Sequence, residues 1–273
     1  MLLIFACSNC KKSGASGSQI LFDSIPVARP VIPMINEVSG IADSKTAPGF
    51  LWAHEDSGNP TQLYLIKHDG SVVKSIFLKG TTNRDWEDMA LLDGSIYIGD
   101  IGDNNQVQTE YSFYKFPEPA SSTDTVQNVE RIRFQYPDGA HDAEGFLADP
   151  VTKNIYIISK RDNPSKVYKL SYPFAANNTV AAVRTLPYTG VVSAAISLDG
   201  KEILIKTYST IYYYYRLQGE SIEQALQKEP KVIKYQPEPQ GEAVCFANNG
   251  TGYFTLSEKG FASWVNLNFY KRK

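Results

Sequence analysis

Arg84-Asp85-Trp86-Glu87-Asp88-Met89-Ala90 decides the fold, because its layout returns four more times along the chain. The other copies are Glu37-Val38-Ser39-Gly40-Ile41-Ala42, His141-Asp142-Ala143-Glu144-Gly145-Phe146-Leu147, Val192-Ser193-Ala194-Ala195-Ile196 and Gln240-Gly241-Glu242-Ala243-Val244-Cys245-Phe246. In each, a small or acidic polar residue precedes a short apolar run, then a turn and a second run. Aligning them puts Ser39, Glu87, Glu144, Ser193 and Glu242 in one column, with steps of 48, 57, 49 and 49 residues. A spacing near fifty marks a repeat architecture.

Working outward, each unit carries about four short β-runs. The first holds Ser39–Ala42, Gly49–His54, Gln62–Ile66 and Val72–Leu78, with Asp69-Gly70 as the turn between the last two. The second repeats this with its turn at Asp93-Gly94, and absorbs its longer step in the polar stretch Pro117–Asn128, which reads as a surface loop. Units three and four follow the same order, with one helical turn expected at Ser221–Lys228. The fifth is expected to end on Ala262–Leu267. Five units of four strands predict an all-β, five-bladed propeller over residues 19–273. A β-sandwich would explain the strands but not their spacing. The extended segment around Gln19–Asp23 and Pro26–Ala28 lies outside the units and is expected to pair with the last blade and close the ring.

Composition agrees with this reading. Of 273 residues, 12% are aromatic, with 17 Tyr and 13 Phe, which favours strands. A net charge of −2 with both signs interspersed gives no basis for binding a nucleic acid polymer, and a monomer is expected. Cys245 lies in an apolar run and reads as a buried small residue. Leu2–Cys7 looks like the end of a lipoprotein signal, with Cys7 as the lipidated residue and Ser8–Ser18 as a polar tether. That would place the chain in a bacterial cell envelope (outer membrane, periplasm or cell surface), held to the membrane only by its lipid. The other reading of residues 1–18 is a short disordered N-terminus with two exposed thiols, since a basic start and most of the apolar stretch are missing. No other stretch approaches the ~20 apolar residues of a membrane span.

The inner strand of each blade lines a propeller's axis, so the column predicts a ring of three carboxylates and two hydroxyls. Three close carboxylates repel unless protonated or offset by a cation. Ca²⁺, which takes roughly six to eight oxygen ligands, suits such a set, and a column without His or Cys argues against zinc and copper. The plainer alternative is that these residues cap backbone groups and hold channel waters. A second cluster is expected at the mouth, where residues before the inner strands meet those after the second strands. Arg84, His141, Lys160, Arg161, Lys206 and Glu258 are candidates for holding a ligand, including a phosphate or carboxylate. Asp85, Asp100, Asp142 and His54 are candidates for activating a water. Asp56 and Tyr208 belong to the same cluster without an assigned role.

The ordered set Ser39, Glu87, Glu144, Ser193, Glu242 resembles the central calcium site of the calcium-activated nucleotidase (apyrase) family, five-bladed propellers that hydrolyse nucleoside di- and triphosphates. The likeness stops at those five positions. A wider one, to secreted bacterial proteins of no assigned reaction, runs through Val38-Ser39-Gly40-Ile41, His54–Gly58, Arg84–Asp88, Tyr97–Asn104, Tyr136–Gly139, Asp142-Ala143-Glu144 and Pro239–Ala243. The first resemblance implies a Ca²⁺-dependent hydrolase of phosphate esters or anhydrides. A non-catalytic module with a structural Ca²⁺ and a glycan, peptide or small-molecule ligand at the mouth stands beside it. A glycosidase pairing Asp85 with Glu144 or Glu242 is the third reading, and it needs carboxyls ~5–9.5 Å apart.

Overall fold

Ordinary hydrophobic alternation is absent from most of these strands. Ile155–Ser159, for example, is buried at every position, which requires cover on both faces of the sheet. A computed structural model, described here for residues 21–175 and 177–273, shows where that cover comes from. Cys7 and Cys10 lie outside the described residues. The chain forms a five-bladed β-propeller, and five apolar clusters sit between successive blades, each sheet burying its two faces against its two neighbours.

Blade 1 is built from Val38–Asp43, Phe50–Glu55, Gln62–Lys67 and Val72–Leu78, and blade 2 from Trp86–Leu92, Ser95–Asp100, Tyr111–Pro117 and Glu130–Gln135. Blade 3 holds Ala143–Ala148, Ile155–Ser159, Lys166–Leu170 and Ala181–Thr185. Blade 4 holds Val191–Ile196, Glu202–Thr207, Ile211–Tyr215 and Lys231–Ile233. The turn Asp93-Gly94 joins Leu92 to Ser95 with both central residues at positive φ, 50° and 72°, the geometry that matches strand twist in a two-residue hairpin. Ser221 caps the helical turn Ile222–Ala225 through a reciprocal bond with Gln224.

Blade 5 closes the ring as expected. Val27–Pro30 pairs antiparallel with Asn266–Lys271, outside Gly252–Leu256 and the inner strand Ala243–Phe246. Phe22 adds an aromatic plug between blades 4 and 5, edge-on to Tyr253 at 5.0 Å and to Tyr213 at 6.4 Å. Two expectations are corrected. The third strand of blade 5 begins at Asn266, not Ala262, which leaves Phe261 and Trp264 in an exposed loop. The Pro117–Asn128 stretch is not simply a surface loop. Thr125–Val126 adds to the outer edge of blade 1, and the buried Glu118 accepts from Ser44 Oγ (2.7 Å), the Lys45 amide (2.9 Å) and Trp52 Nε1 (3.0 Å). It latches blade 2 to blade 1.

The inner strands carry one more feature. Their pairing with the second strands shifts at Val38/Gly40, Trp86/Met89, Ala143/Gly145 and Val191/Ser193, so the inner strands of blades 1 to 4 each have a bulge near the mouth end, while that of blade 5 pairs without one. In blade 1 the extra residue is Ser39, in blade 3 it is Glu144, and in blade 4 it is Val192. Ser193 pairs with Lys206 and is therefore equivalent to Gly40 and Gly145, one layer below the ring. The predicted column slips by one residue in blade 4.

That lower layer closes the axis. Gly40, Gly145, Ser193 and Ala243 are small, and a Cβ on Gly145 would meet the Ser193 backbone at 3.0 Å. The fifth member, Asp88, is fully buried and reaches across. It accepts from the amides of Met89 (3.0 Å), Phe146 (3.3 Å) and Ala194 (2.8 Å) and from Ser193 Oγ (3.0 Å), tying blade 2 to blades 3 and 4. Ser193 Oγ in turn accepts from the Val244 amide of blade 5 at 3.1 Å. Each buried donor left without its acceptor costs roughly 1–3 kcal/mol. We expect Asp88→Ala to lower the melting temperature by roughly 6–12 °C at 2–4 °C per kcal/mol, read by calorimetry. A shift below 2 °C would mean the carboxylate is not a structural tie.

Candidate functional site

Above Asp88 the mouth begins with the true ring: Ser39, Glu87, Glu144, Val192 and Glu242, all nearly closed to solvent. Its acids divide into two groups. Glu144 is ion-paired with Lys160 Nζ, which also lies 4.0 Å from Glu242 Oε1 and 3.0 Å from Tyr208 Oη, while Tyr208 Oη donates to Glu242. One ammonium thus serves the blade 3 and blade 5 acids; burial opposes its charge, but Glu144 and then Tyr208 hold it protonated far above the ordinary range.

On the opposite side, among the described residues, no ion pair intervenes. Asp56, Asp85 and Glu87 bring carboxylate oxygens within 4.8 Å of one another, and Ser39 Oγ donates to Glu87 Oε2 at 3.0 Å. Gly102 backs this group. A Cβ there would collide with Glu87 Oε1 and the Asp85 carboxylate, so glycine lets the backbone come this close to both acids. Burial, then the neighbouring acids, raises the protonation range of all three. Asp56 is pushed up to about 6, Asp85 is raised, and Glu87 stands well above the usual carboxylate range with Glu144 as its chief charged neighbour. Glu258, beside Glu242, is pushed up to about 8 by burial and that carboxylate, and Gln240 Nε2 donates to it at 2.8 Å. An all-oxygen, carboxylate-rich set of this kind fits a hard divalent cation such as Ca²⁺. Of the five residues expected to ligate one, Glu87 and Ser39 sit in the cluster. Glu144 and Glu242 face Lys160, and Ser193 serves Asp88.

The other expected site residues divide by what they touch. Arg84 donates to the carbonyls of Glu110 (2.9 Å) and Asp100 (3.0 Å) and lies over the Tyr111 ring, so it fixes loops. Asp100 accepts from the Asp85 amide at 3.0 Å and thereby places Asp85 in the cluster. Asp142 accepts from the Asp103 amide at 2.8 Å and pairs with Arg161 Nε at 2.7 Å. His141 is buried between Asp138 (3.0 Å), Asp162 (2.8 Å) and Tyr168 Oη (2.7 Å). Lys206 is wholly buried against the Gly241 carbonyl and the Tyr235 ring, with its ammonium lowered to about 8 by desolvation. His54 lies beneath Gly40, closed to solvent and edge-on to Trp86, and burial lowers it to about 4. It is a neutral packing group with no access to a mouth water. Only Asp85 of the four expected catalytic groups faces the cluster. Asp56 and Tyr208 gain roles that their types and positions did not reveal.

No family model matches the chain, and no curated protein does. Solved structures do. The luciferin-regenerating enzyme superposes with a TM-score of 0.53 at 12% identity, covering 91% of this chain and 95% of that one. A structural genomics protein of unknown function from Bacteroides thetaiotaomicron VPI-5482 gives 0.50 at 10% identity, covering 87% and 70%. Likeness at this level is one of fold.

A group whose folded pKa is raised contributes stability that is complete below its unfolded value and is lost as pH rises through the folded value. For Asp56 and Glu258 that window runs from about 4 to about 8. In EDTA the melting temperature should therefore fall between pH 5 and pH 8. Ca²⁺ at a hundred times its Kd adds about 2.7 kcal/mol, or roughly 5–10 °C, at pH 8, and far less at pH 5. Gly102→Ala should remove the response to Ca²⁺. An identical melting temperature with EDTA and with Ca²⁺ at pH 8 would sink the cation site.

Proposed function

We propose that this propeller is a divalent-cation-dependent hydrolase of phosphate esters or anhydrides, with Ca²⁺ held on Asp56, Asp85 and Glu87 at the floor of the mouth. The observation that carries the reading is the uneven pairing of acids at the mouth: Lys160 pairs with Glu144 and lies near Glu242, and among the described residues no ion pair reaches Asp56, Asp85 or Glu87. When bound, the ion supplies Lewis acidity to a phosphoryl oxygen. Ser39 Oγ orients Glu87, and the Asp100 bond to the Asp85 amide fixes the third carboxylate. Lys160 keeps the far side of the ring close to neutral, so an anion meets less repulsion there. Arg161, 43% exposed at the rim and braced by Asp142 and Asn104, offers a guanidinium to the same anion. Without the ion the surplus of acids repels a phosphate, so substrate and cation bind only together. Lipidation at Cys7 and a place in the cell envelope belong to this proposal as well.

One observation favours the non-catalytic reading, a mouth that binds without turnover. Asp100, Asp142 and His54 are each committed to the fold, which leaves Asp85 alone of the four groups expected to activate a water. The glycosidase reading loses its carboxylate pair, since Glu144 and Glu242 share Lys160. Phosphate release from a panel of phosphate esters and anhydrides separates the first two. We expect turnover that requires Ca²⁺ and falls by roughly a hundredfold or more in Glu87→Gln, the scale of losing one electrostatic contact to a transition state. No release from any substrate, with the Ca²⁺ response of the melting temperature intact, would leave a binding module.

A further inference from the structure

Trp264 is out of place. The chain has three tryptophans. Trp52 and Trp86 are fully buried, with their indole N–H groups bonded to Glu118 and to the Thr82 carbonyl. Trp264 is 66% exposed, and Phe261, three residues before it, is wholly so. Both lie in the loop that precedes the third strand of blade 5, where they pack no sheet. The loop is nevertheless anchored: the Lys259 amide donates to the Asn36 carbonyl at 2.7 Å, and the Val31 amide to the Val265 carbonyl at 2.9 Å. An indole on such a loop is held in place with a face open.

Beside it is a cavity of about 220 Å³ at the edge of blade 5, between the Gln236–Pro239 linker and the strand residues Asn266 and Asn268. Its polar lining is the carboxamides of Gln236, Asn266 and Asn268, the Glu238 carboxylate and Ser257. The Glu238 carboxylate is fixed through Oε1 by Asn268 Nδ2 (2.7 Å) and Thr255 Oγ1. Pro237, Pro239 and Ala28 supply flat apolar walls, and no cation lines the space. Planar amides that both donate and accept, next to an aromatic face, suit a ligand with many hydroxyls and an apolar ring face. The missing cation excludes a phosphate or other anion. The volume is below the roughly 300–1,000 Å³ of pockets for drug-sized ligands, which limits the occupant to one ring or a chain end.

We propose that the Trp264 cavity is a carbohydrate-binding subsite that takes a neutral sugar ring against the indole, separate from the cation cluster at the mouth. The sugar's C–H face covers Trp264, and its hydroxyls pair with the amides of Gln236, Asn266 and Asn268. The site uses none of Asp56, Asp85 or Glu87, so it does not depend on the proposed hydrolase.

Trp264 is the only tryptophan that solvent reaches, so its emission reports on the cavity directly. The experiment titrates residues 21–273 with neutral gluco-, manno-, galacto- and N-acetylglucosamine oligomers, read by tryptophan fluorescence and by calorimetry. At least one series should shift the emission and release heat, in EDTA as well as in Ca²⁺, and in Glu87→Gln as in the native chain. Trp264→Ala should weaken that binding roughly tenfold or more, the size expected for losing one stacked aromatic. Asn266→Ala should weaken it without altering the emission of the free protein. No response to any sugar would overturn the proposal. So would binding that survives both substitutions, or a response confined to proline-rich peptides included as a control.

Discussion

The rest of the structure depends on one carboxylate. Asp88 crosses the axis to meet amides of blades 3 and 4, and the Ser193 hydroxyl it holds passes the tie on to blade 5. Such a crossing is possible because five inner strands leave a narrow axis and four of the five residues at that depth are Gly, Ser or Ala. It also divides the channel. Above lies a blind polar mouth. Below lies a small vestibule of about 50 Å³, lined by Ile41, Met89, Leu147, Ala195 and the buried Cys245, with Asp43 and Asn248 as polar members. A ligand at the mouth therefore meets a floor rather than a pore. Burial raises the Asp88 carboxyl well above its usual range while four donors pull it back, so the same bonds that close the fold keep the charge tolerable.

The bulges turn this closed axis into a site. An inserted residue leaves the ladder, and in blades 1 and 3 that residue is Ser39 or Glu144, freed from the strand pairing. Crowding follows, and the chain answers it unequally. Lys160 is long enough to reach from the end of the blade 3 second strand to two acids, whereas Arg84, the nearest cation on the blade 2 side, spends its guanidinium on backbone carbonyls. The acidic side of the mouth is thus a product of where two cations are tethered, not of how many the chain has.

Much of this was legible in the residues. The spacing of the five units, the closing N-terminal strand and the convergence of acids at one end all follow from period and strand direction. What sequence spacing does not carry is register. Val192-Ser193 aligns on type with Val38-Ser39, but the bulged residue is Ser39 in blade 1 and Val192 in blade 4, so Ser193 re-enters the ladder one layer lower. Trp264 and its apolar neighbours pulled the expected blade 5 strand four residues early, since a β-favouring aromatic reads the same on a strand and on an exposed loop. Arg84, His141 and Asp142 looked like free functional groups because their partners are two backbone carbonyls, aspartates on either side in the chain, and a backbone amide with a rim arginine. No pattern of side-chain types announces those.

Val192 gives the ring its most informative contrast. It stands in the blade 4 place of the same ring, is buried like its neighbours, and shows that an apolar side chain satisfies the packing at this depth. Glu87, Glu144 and Glu242 are therefore not demanded by channel lining. Burial and neighbouring acids disfavour the ionised forms of Glu87 and Glu144, and the fold holds the three in place with bonds from Ser39, Lys160 and Tyr208. A group that the packing does not require and that burial opposes is retained at a cost to stability. Lys160 removes that cost on one side only. On the other, the oxygens of Asp56, Asp85 and Glu87 crowd together within 4.8 Å, an arrangement that a hard cation would convert from mutual repulsion into coordination.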